Sequence, residues 1–277
     1  MPGKALLLRF MHERRLMDLN DYFDDRFVDF QISQLARNYL APAGWFLSLR
    51  GEPVDASGPI PYITYPALAM LRRIVTPDLK VFEYGSGFST LWWSRHVKQV
   101  VSVDHNHQWI EKIRPSLPAN VTVVHQPIGA PTEPGRLAAT GDFFAKNYAL
   151  PTSGNPAHDV EHGLLSKEFT AYATEILHYP VGHFDVVVVD GMARVLTAYL
   201  AARQLGPQGI VLFDNSDRWQ YNAAYQLLTD AGFARSDFYG PGPVNTIEWC
   251  TSLFMRDLGA LRRNALIGPD RKKELGW

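Results

Sequence analysis

A doubly wound, mostly parallel α/β sheet is the fold this sequence predicts, on three observations. Apolar runs of strand length, such as Phe184-Asp185-Val186-Val187-Val188-Val189, alternate with stretches of helical spacing from Lys80 onward; strands buried on both faces read as such runs. A strand, a glycine turn and a helix start follow one another in Val81-Phe82-Glu83-Tyr84-Gly85-Ser86-Gly87-Phe88-Ser89-Thr90. The last two strands are separated by Tyr239-Gly240-Pro241-Gly242-Pro243 and a few more residues, too little for a helical crossover, so they pair antiparallel.

In chain order, residues 5 to about 40 place Leu7, Phe10 and Met11, then Phe27, Phe30, Ile32 and Leu35, at helical spacing. Two amphipathic helices follow, as a lid, as a surface for a homodimer, or as a cover for one side of the sheet. Residues 41–61 are rich in Pro and Gly and read as loop. Pro66 suits the first turn of a helix running to about Ile74. Thr64 and Tyr65 just before it are either a polar pocket wall or an N-cap and a packed aromatic. Strand and helix then alternate: strand 80–84, helix 88–97, strand 99–103, helix 107–114 and strand 121–125. After a long insertion, 129–166, of low periodicity, come helix 167–178, strand 184–190, helix 195–204, strand 209–214, helix 218–230 and strands near 233–239 and 249–256. The division is an N-terminal extension, 1–61, and one domain, 62–277.

Composition narrows the functional classes. The chain has 277 residues, 46% of them hydrophobic, enough for a full-sized core. Its net charge of -1 supplies no global field for nucleic acid or anionic membranes, and no apolar stretch is long enough to span a bilayer. With no cleavable leader pattern at the start, a cytoplasmic protein is expected. One cysteine, Cys250, excludes an internal disulfide framework and reads as a buried apolar residue.

The glycine turn carries the first chemistry. Gly85 and Gly87 let a ligand approach the main chain, and the following helix offers unpaired N–H groups. A dinucleotide fingerprint needs G-x-G-x-x-G, and here its third glycine is Thr90. Glu83 would also place a carboxylate beside two phosphates, a repulsion on the order of 1 kcal/mol or more. A cationic ligand suits the site better. Asp104, at the end of the second strand, lies 21 residues after Glu83, near the spacing at which an acidic group meets ribose hydroxyls.

These residues resemble a known family. Glu83-Tyr84-Gly85-Ser86-Gly87-Phe88-Ser89 is similar to motif I of class I S-adenosylmethionine-dependent methyltransferases, and Val101-Ser102-Val103-Asp104 to their second motif. Phe184–Gly191 and Gly209–Asn215 resemble the family's strands four and five, and the likeness covers about residues 62–256. It implies a Rossmann-like sheet of seven strands with the last antiparallel, an enzyme, and S-adenosylmethionine as methyl donor. Glu83, Gly85, Ser86, Gly87 and Ser89 would then hold the methionine end and backbone, Asp104 the ribose, and His105 and Gln126 would flank the adenine. The acceptor is expected to be a small molecule methylated on oxygen, with a metal-independent transfer to nitrogen or a sugar hydroxyl, or a non-catalytic donor-binding protein, as alternatives.

Asp190, Asp214 and Asn215 end strands that should be neighbours and supply hard oxygen ligands for magnesium or another divalent cation. Such a set is similar to the metal site of catechol-type O-methyltransferases, where a metal lowers a hydroxyl's pKa and orients it. Against this, Asp214 and Asn215 could cap the helix near Arg218 and Asp190-Gly191 could be a tight turn. Asp190 is the expected catalytic group; without a metal, the base would be Lys146, His158, His162 or Asp190, which the sequence does not rank. Arg194 would meet an anionic acceptor or lie in solvent. His158-Asp159-Val160-Glu161-His162 matches an inverted zinc-protease motif, but Pro156 and Gly163 leave little room for the helix it needs. Tyr239, Asn245 and Trp249, around the Gly-Pro tip, would line the acceptor site or simply pack a rigid hairpin.

Overall fold

Strand β1 (Lys80–Tyr84) lies between β2 (Gln99–Asp104) and β4 (Val186–Val189), parallel to both, with Glu83 opposite Ser102 on one side and Val188 on the other. Outward from β2 lies parallel β3 (Val121–His125), and outward from β4 lies parallel β5 (Ile210–Asp214). Beyond β5 the sheet continues into β7 (Glu248–Met255), which runs antiparallel and pairs with β6 (Ala234–Pro241) as a hairpin. The order is β3-β2-β1-β4-β5-β7-β6. This computed structural model describes residues 44–49, 51–146, 166–244 and 247–257. The helices expected before residue 41, the segment holding His158 and His162, and Asn245 lie outside the described residues.

The all-valine β4 is buried on both faces, as β-branched residues in a central parallel strand should be. Alternation along the strands divides the core in two. Phe82, Tyr84, Val101, Val103, Val187, Val189, Val211 and Phe213 face α4 (Arg194–Gln204) and α5 (Asn222–Asp230). Val81, Val100, Val186, Val188, Ile210 and Leu212 face α1 (Tyr65–Ile74) and α2 (Phe88–His96), whose Leu68, Leu71, Trp92 and Trp93 fill that layer. Each such side chain contributes about 1.5–3 kcal/mol when fully buried. The two layers hold the strand ends at one edge, where the turns after β1, β2, β4 and β5 meet.

Several expected boundaries shift. The helix expected over 167–178 is broken into a 3-10 turn (Ser166–Phe169), one α-helical turn (Thr170–Ala173) and a second 3-10 stretch (Thr174–His178). Threonine hydroxyls compete for its carbonyls: Thr174 Oγ1 donates to Thr170 O at 2.7 Å and Thr170 Oγ1 to Lys167 O at 2.8 Å. The insertion is not structureless where it is described, since Pro134–Ala138 and Gly141–Ala145 are short helices. Likewise the expected loop before residue 62 holds a helical turn, Trp45–Ser48, and a two-residue ladder. Among the described residues no helix is long and apolar enough to cross a membrane.

Candidate functional site

Above the turn after β1 lies a cleft of about 380 Å³, within the usual range for small-molecule sites. Its floor is Gly85, Ser86, Gly87 and Ser89; Trp109 and Asp190 stand on its walls, with Tyr62, Pro53 and Val244 also bordering it. Gly85 has φ 93°, a left-handed conformation that favours glycine. Gly87 N–H donates to Thr90 Oγ1 at 2.8 Å, and Thr90 donates in turn to Glu83 Oε2 at 2.5 Å. The threonine that replaces the third glycine therefore ties the turn to the carboxylate beneath it.

Glu83 is fully buried and does not line the cleft; among the described residues its second oxygen, Oε1, has no hydrogen-bond partner. Burial raises its carboxyl from 4.5 to about 7, against the lowering effect of the Ser89, Thr90 and Ser102 hydroxyls. An unpaired buried acceptor under a ligand-binding turn fits a cationic group above it better than an anionic one. That supports the fit of a sulfonium amino acid. Glu83, expected at the ligand, lies beneath the turn that lines the cleft.

Asp104 is buried and engaged. Its Oδ2 accepts from Ser86 N and Ser86 Oγ, both at 2.8 Å, and Oδ1 accepts from Asn106 N at 2.9 Å. Through these bonds β2 fixes the shape of the turn after β1. Trp109, at the start of α3 (His107–Ile113), adds a further bond from Nε1 to Ser86 O at 2.7 Å. His105 packs edge-on to Phe169, with centroids 5.8 Å apart. Gln126 donates its amide to the buried Glu175 at 2.8 Å, a carboxylate that His178 and Arg136 also meet. Asp104, His105 and Gln126 all sit at the carboxyl ends of β2 and β3, and none of the three lines the cleft.

The structure rearranges the oxygen set read as a metal site. Asp214 is buried, and its Oδ1 accepts from Trp249 Nε1 at 2.9 Å and Thr251 Oγ1 at 2.5 Å. The carboxylate thus anchors the hairpin. Between Asp190, Asp214 and Asn215 lies the guanidinium of Arg194, bonded to Asp190 Oδ1 at 3.0 Å, Asp214 O at 2.5 Å and Asn215 Oδ1 at 3.1 Å. Among the described residues no group of three or more His, Cys, Asp or Glu could hold a metal ion. The guanidinium holds one side-chain oxygen each of Asp190 and Asn215 and the main-chain oxygen of Asp214, and the Asp214 carboxylate is bonded by Trp249 and Thr251, so a divalent ion would have to displace a cation already in place. The expected magnesium ligands Asp190, Asp214 and Asn215 are thus brought together around Arg194. Asn215 has φ 52° and does not cap α5, which begins at Asn222.

Asp190 lines the cleft beside the glycine turn. Burial raises its carboxyl well above the usual range, Asp214 adds to the shift and Arg194 opposes it. Thr64 and Tyr65 are buried away from the cleft, with Thr64 Oγ1 donating to Phe238 O at 2.8 Å; they pack rather than form a pocket wall. Tyr62 takes the wall position instead, 5.7 Å from the buried Trp249 ring. Of the hairpin residues, Tyr239 is exposed and Trp249 packs beneath Tyr62.

Gly191 was legible only as half of a possible turn. A Cβ there would meet the Tyr172 hydroxyl at 2.0 Å and Gly85 N at 2.9 Å. Nothing in local spacing signals such a contact, which joins two crossovers distant in sequence.

No family model matches the chain, and no curated protein matches it. Among solved structures, a methyltransferase-like protein from Silicibacter pomeroyi is 22% identical, with a TM-score of 0.41 over 76% of this chain and 94% of that one. Precorrin-6y C5,15-methyltransferase from Geobacter metallireducens is 13% identical, with a TM-score of 0.44 over 70% and 88%. Spermidine synthase from Thermotoga maritima is 10% identical, with a TM-score of 0.43 over 74% and 61%. The strand order of this chain, with β7 antiparallel between β5 and β6, is itself that of the Rossmann-like methyltransferase fold.

Proposed function

We propose that the protein is an S-adenosylmethionine-dependent methyltransferase that acts on a hydroxyl of a small molecule, with Asp190 as the base and no divalent ion. The observation that carries this reading is that Asp190 and the turn Gly85–Ser89 share the wall of one cleft. Bound donor supplies an electrophilic methyl carbon, whose transfer leaves a neutral thioether and frees one proton from the acceptor hydroxyl.

The chain's own residues divide the remaining work. The Gly85–Ser89 backbone gives the donor's amino-acid end a close floor, and the unpaired Glu83 Oε1 beneath it favours positive charge. Asp104 is the carboxylate for the ribose, with His105 and Gln126 toward the base. Since Ser86 and Asn106 already bond Asp104, a ribose shares those oxygens rather than meeting an idle acceptor. Asp190 accepts the acceptor's proton. Its raised pKa, set by burial and by Asp214, makes it a stronger base than an exposed carboxylate. Tyr62, Pro53 and Val244 give the acceptor an apolar border on which to rest.

A small-molecule extract incubated with donor carrying a deuterated methyl group tests the reading. It expects a labelled product that is lost in Asp190→Asn. Labelled product from Asp190→Asn at the native rate would remove Asp190 from the chemistry, and absence of donor binding would remove the reading altogether.

A further inference from the structure

We propose that Arg194 is a built-in cation: it fills the place where the sequence puts a divalent ion, and it positions Asp190 so that Oδ2 is the oxygen offered to the acceptor. The inference deepens the methyltransferase reading and rests on it for the word acceptor; the guanidinium cage stands on geometry alone.

A guanidinium has five N–H donors in one plane and no acceptor. All five are matched by oxygens. Nε donates to Gly191 O at 3.0 Å; one terminal nitrogen donates to Asp214 O at 2.5 Å and Asn215 Oδ1 at 3.1 Å; the other donates to Asp190 O at 3.3 Å and Asp190 Oδ1 at 3.0 Å. No donor is left for an anionic acceptor, which removes that role from Arg194. The side chain is 11% exposed and its guanidinium carbon lies 5.4 Å from the centroid of the Tyr221 ring.

The backbone on both sides is bent to suit this cage. Ala193, just before α4, has φ 48°, and Asn215, just after β5, has φ 52°. Left-handed residues other than glycine persist where surrounding contacts determine them, and here both flank the same side chain. A cage that joins the ends of β4 and β5 would serve stability alone if Asp190 were shut inside it. It is not: Oδ1 is committed to Arg194, no hydrogen bond among the described residues takes Oδ2, and the residue borders the cleft. Arg194 thereby fixes the carboxylate's rotation while leaving one oxygen for chemistry. The other charged groups that bear on Asp190 are Asp214, Glu83 and Arg218. Arg194 is a positioning residue, acting through Asp190.

The test uses the full chain carrying 15N in arginine and 13C in aspartate carboxyls. The Arg194 guanidinium should show separate, unaveraged terminal nitrogen signals near neutral pH, and millimolar manganese chloride should broaden neither these nor the Asp190 carboxyl signal. Arg194→Ala should shift the Asp190 carboxyl signal, ethylguanidinium should restore it, and ethylammonium should not, since a point charge lacks the planar fork. Averaged nitrogen signals, manganese broadening, or an Asp190 signal indifferent to Arg194→Ala would each overturn the proposal. Should that variant not fold, the two measurements on the unaltered chain decide. None of these readouts needs the donor, so failure to bind S-adenosylmethionine would sink the methyltransferase reading without touching the cage.

Discussion

Gly85 and Gly191 lie backbone against backbone: a Cβ on Gly85 would come 3.2 Å from Gly191 Cα, and one on Gly191 would come 2.9 Å from Gly85 N. The turn after β1 and the turn after β4 are thus one unit, which is how Asp190 and the glycine floor come to share a cleft. Gly191→Ala must displace either that backbone or the buried Tyr172 hydroxyl. It should destabilise the chain by about 1–3 kcal/mol, as other overpacked sites do, and weaken donor binding at least tenfold. Urea denaturation and calorimetry read the two effects separately.

Glu83 makes stability depend on pH in a stated direction. Burial raises its carboxyl to about 7 in the folded chain, against 4.5 as the ordinary value, so the folded state holds the proton more tightly. The stabilising contribution is fully present below about 4.5 and is lost as pH rises through about 7, amounting to on the order of 3 kcal/mol. Urea midpoints measured across this window should fall with rising pH. In Glu83→Gln that slope should flatten, whereas an unchanged slope would assign it to another group.

The sheet was open to inspection in the sequence because its signals are local. The valine run of β4, the glycine turn and the Gly-Pro tip each announce an element within a few residues, and all seven strands lie where these signals put them. The site was legible by half. Glu83, Gly85 and Asp104 stand out by spacing, but the partners that give them their roles do not. Thr90 counted as a departure from a glycine pattern, and only the fold shows its hydroxyl joining Gly87 to Glu83. Arg194 lies four residues after Asp190 on a new helix, where no periodicity reveals that its guanidinium turns back onto the ends of two strands. An oxygen-rich set reads the same in sequence whether a metal or an arginine sits in it.

Trp249 should prove structural before it proves catalytic. Its indole N–H is one of two side-chain donors to the buried Asp214 Oδ1. Trp249→Phe keeps the ring beneath Tyr62 but deprives the carboxylate of a donor, and should lower stability by about 1–3 kcal/mol. Thermal unfolding with and without donor distinguishes a loss of fold from a loss of binding: both melts should shift down together.

Asp104 should matter more to the donor than to the fold. Asp104→Asn removes the charge and turns one acceptor oxygen into a donor facing Ser86 or Asn106. Donor affinity should fall at least tenfold, about 1.4 kcal/mol, while far-ultraviolet circular dichroism stays that of the native sheet. Unaltered affinity would separate Asp104 from the ribose.

Metal removal supplies a prediction of no effect. Because the Arg194 guanidinium already lies between Asp190, Asp214 and Asn215, product formation in the labelled-methyl assay should be the same with a chelator as with added magnesium. A rate that falls with chelator and returns with magnesium would place an ion elsewhere on the reaction path.

Titration calorimetry of the full chain with S-adenosylmethionine tests the central claim most directly. The account predicts binding of one donor per chain, weakened at least tenfold in Asp104→Asn and in Gly191→Ala. A folded, cooperatively melting protein that takes up no heat with the donor would contradict it.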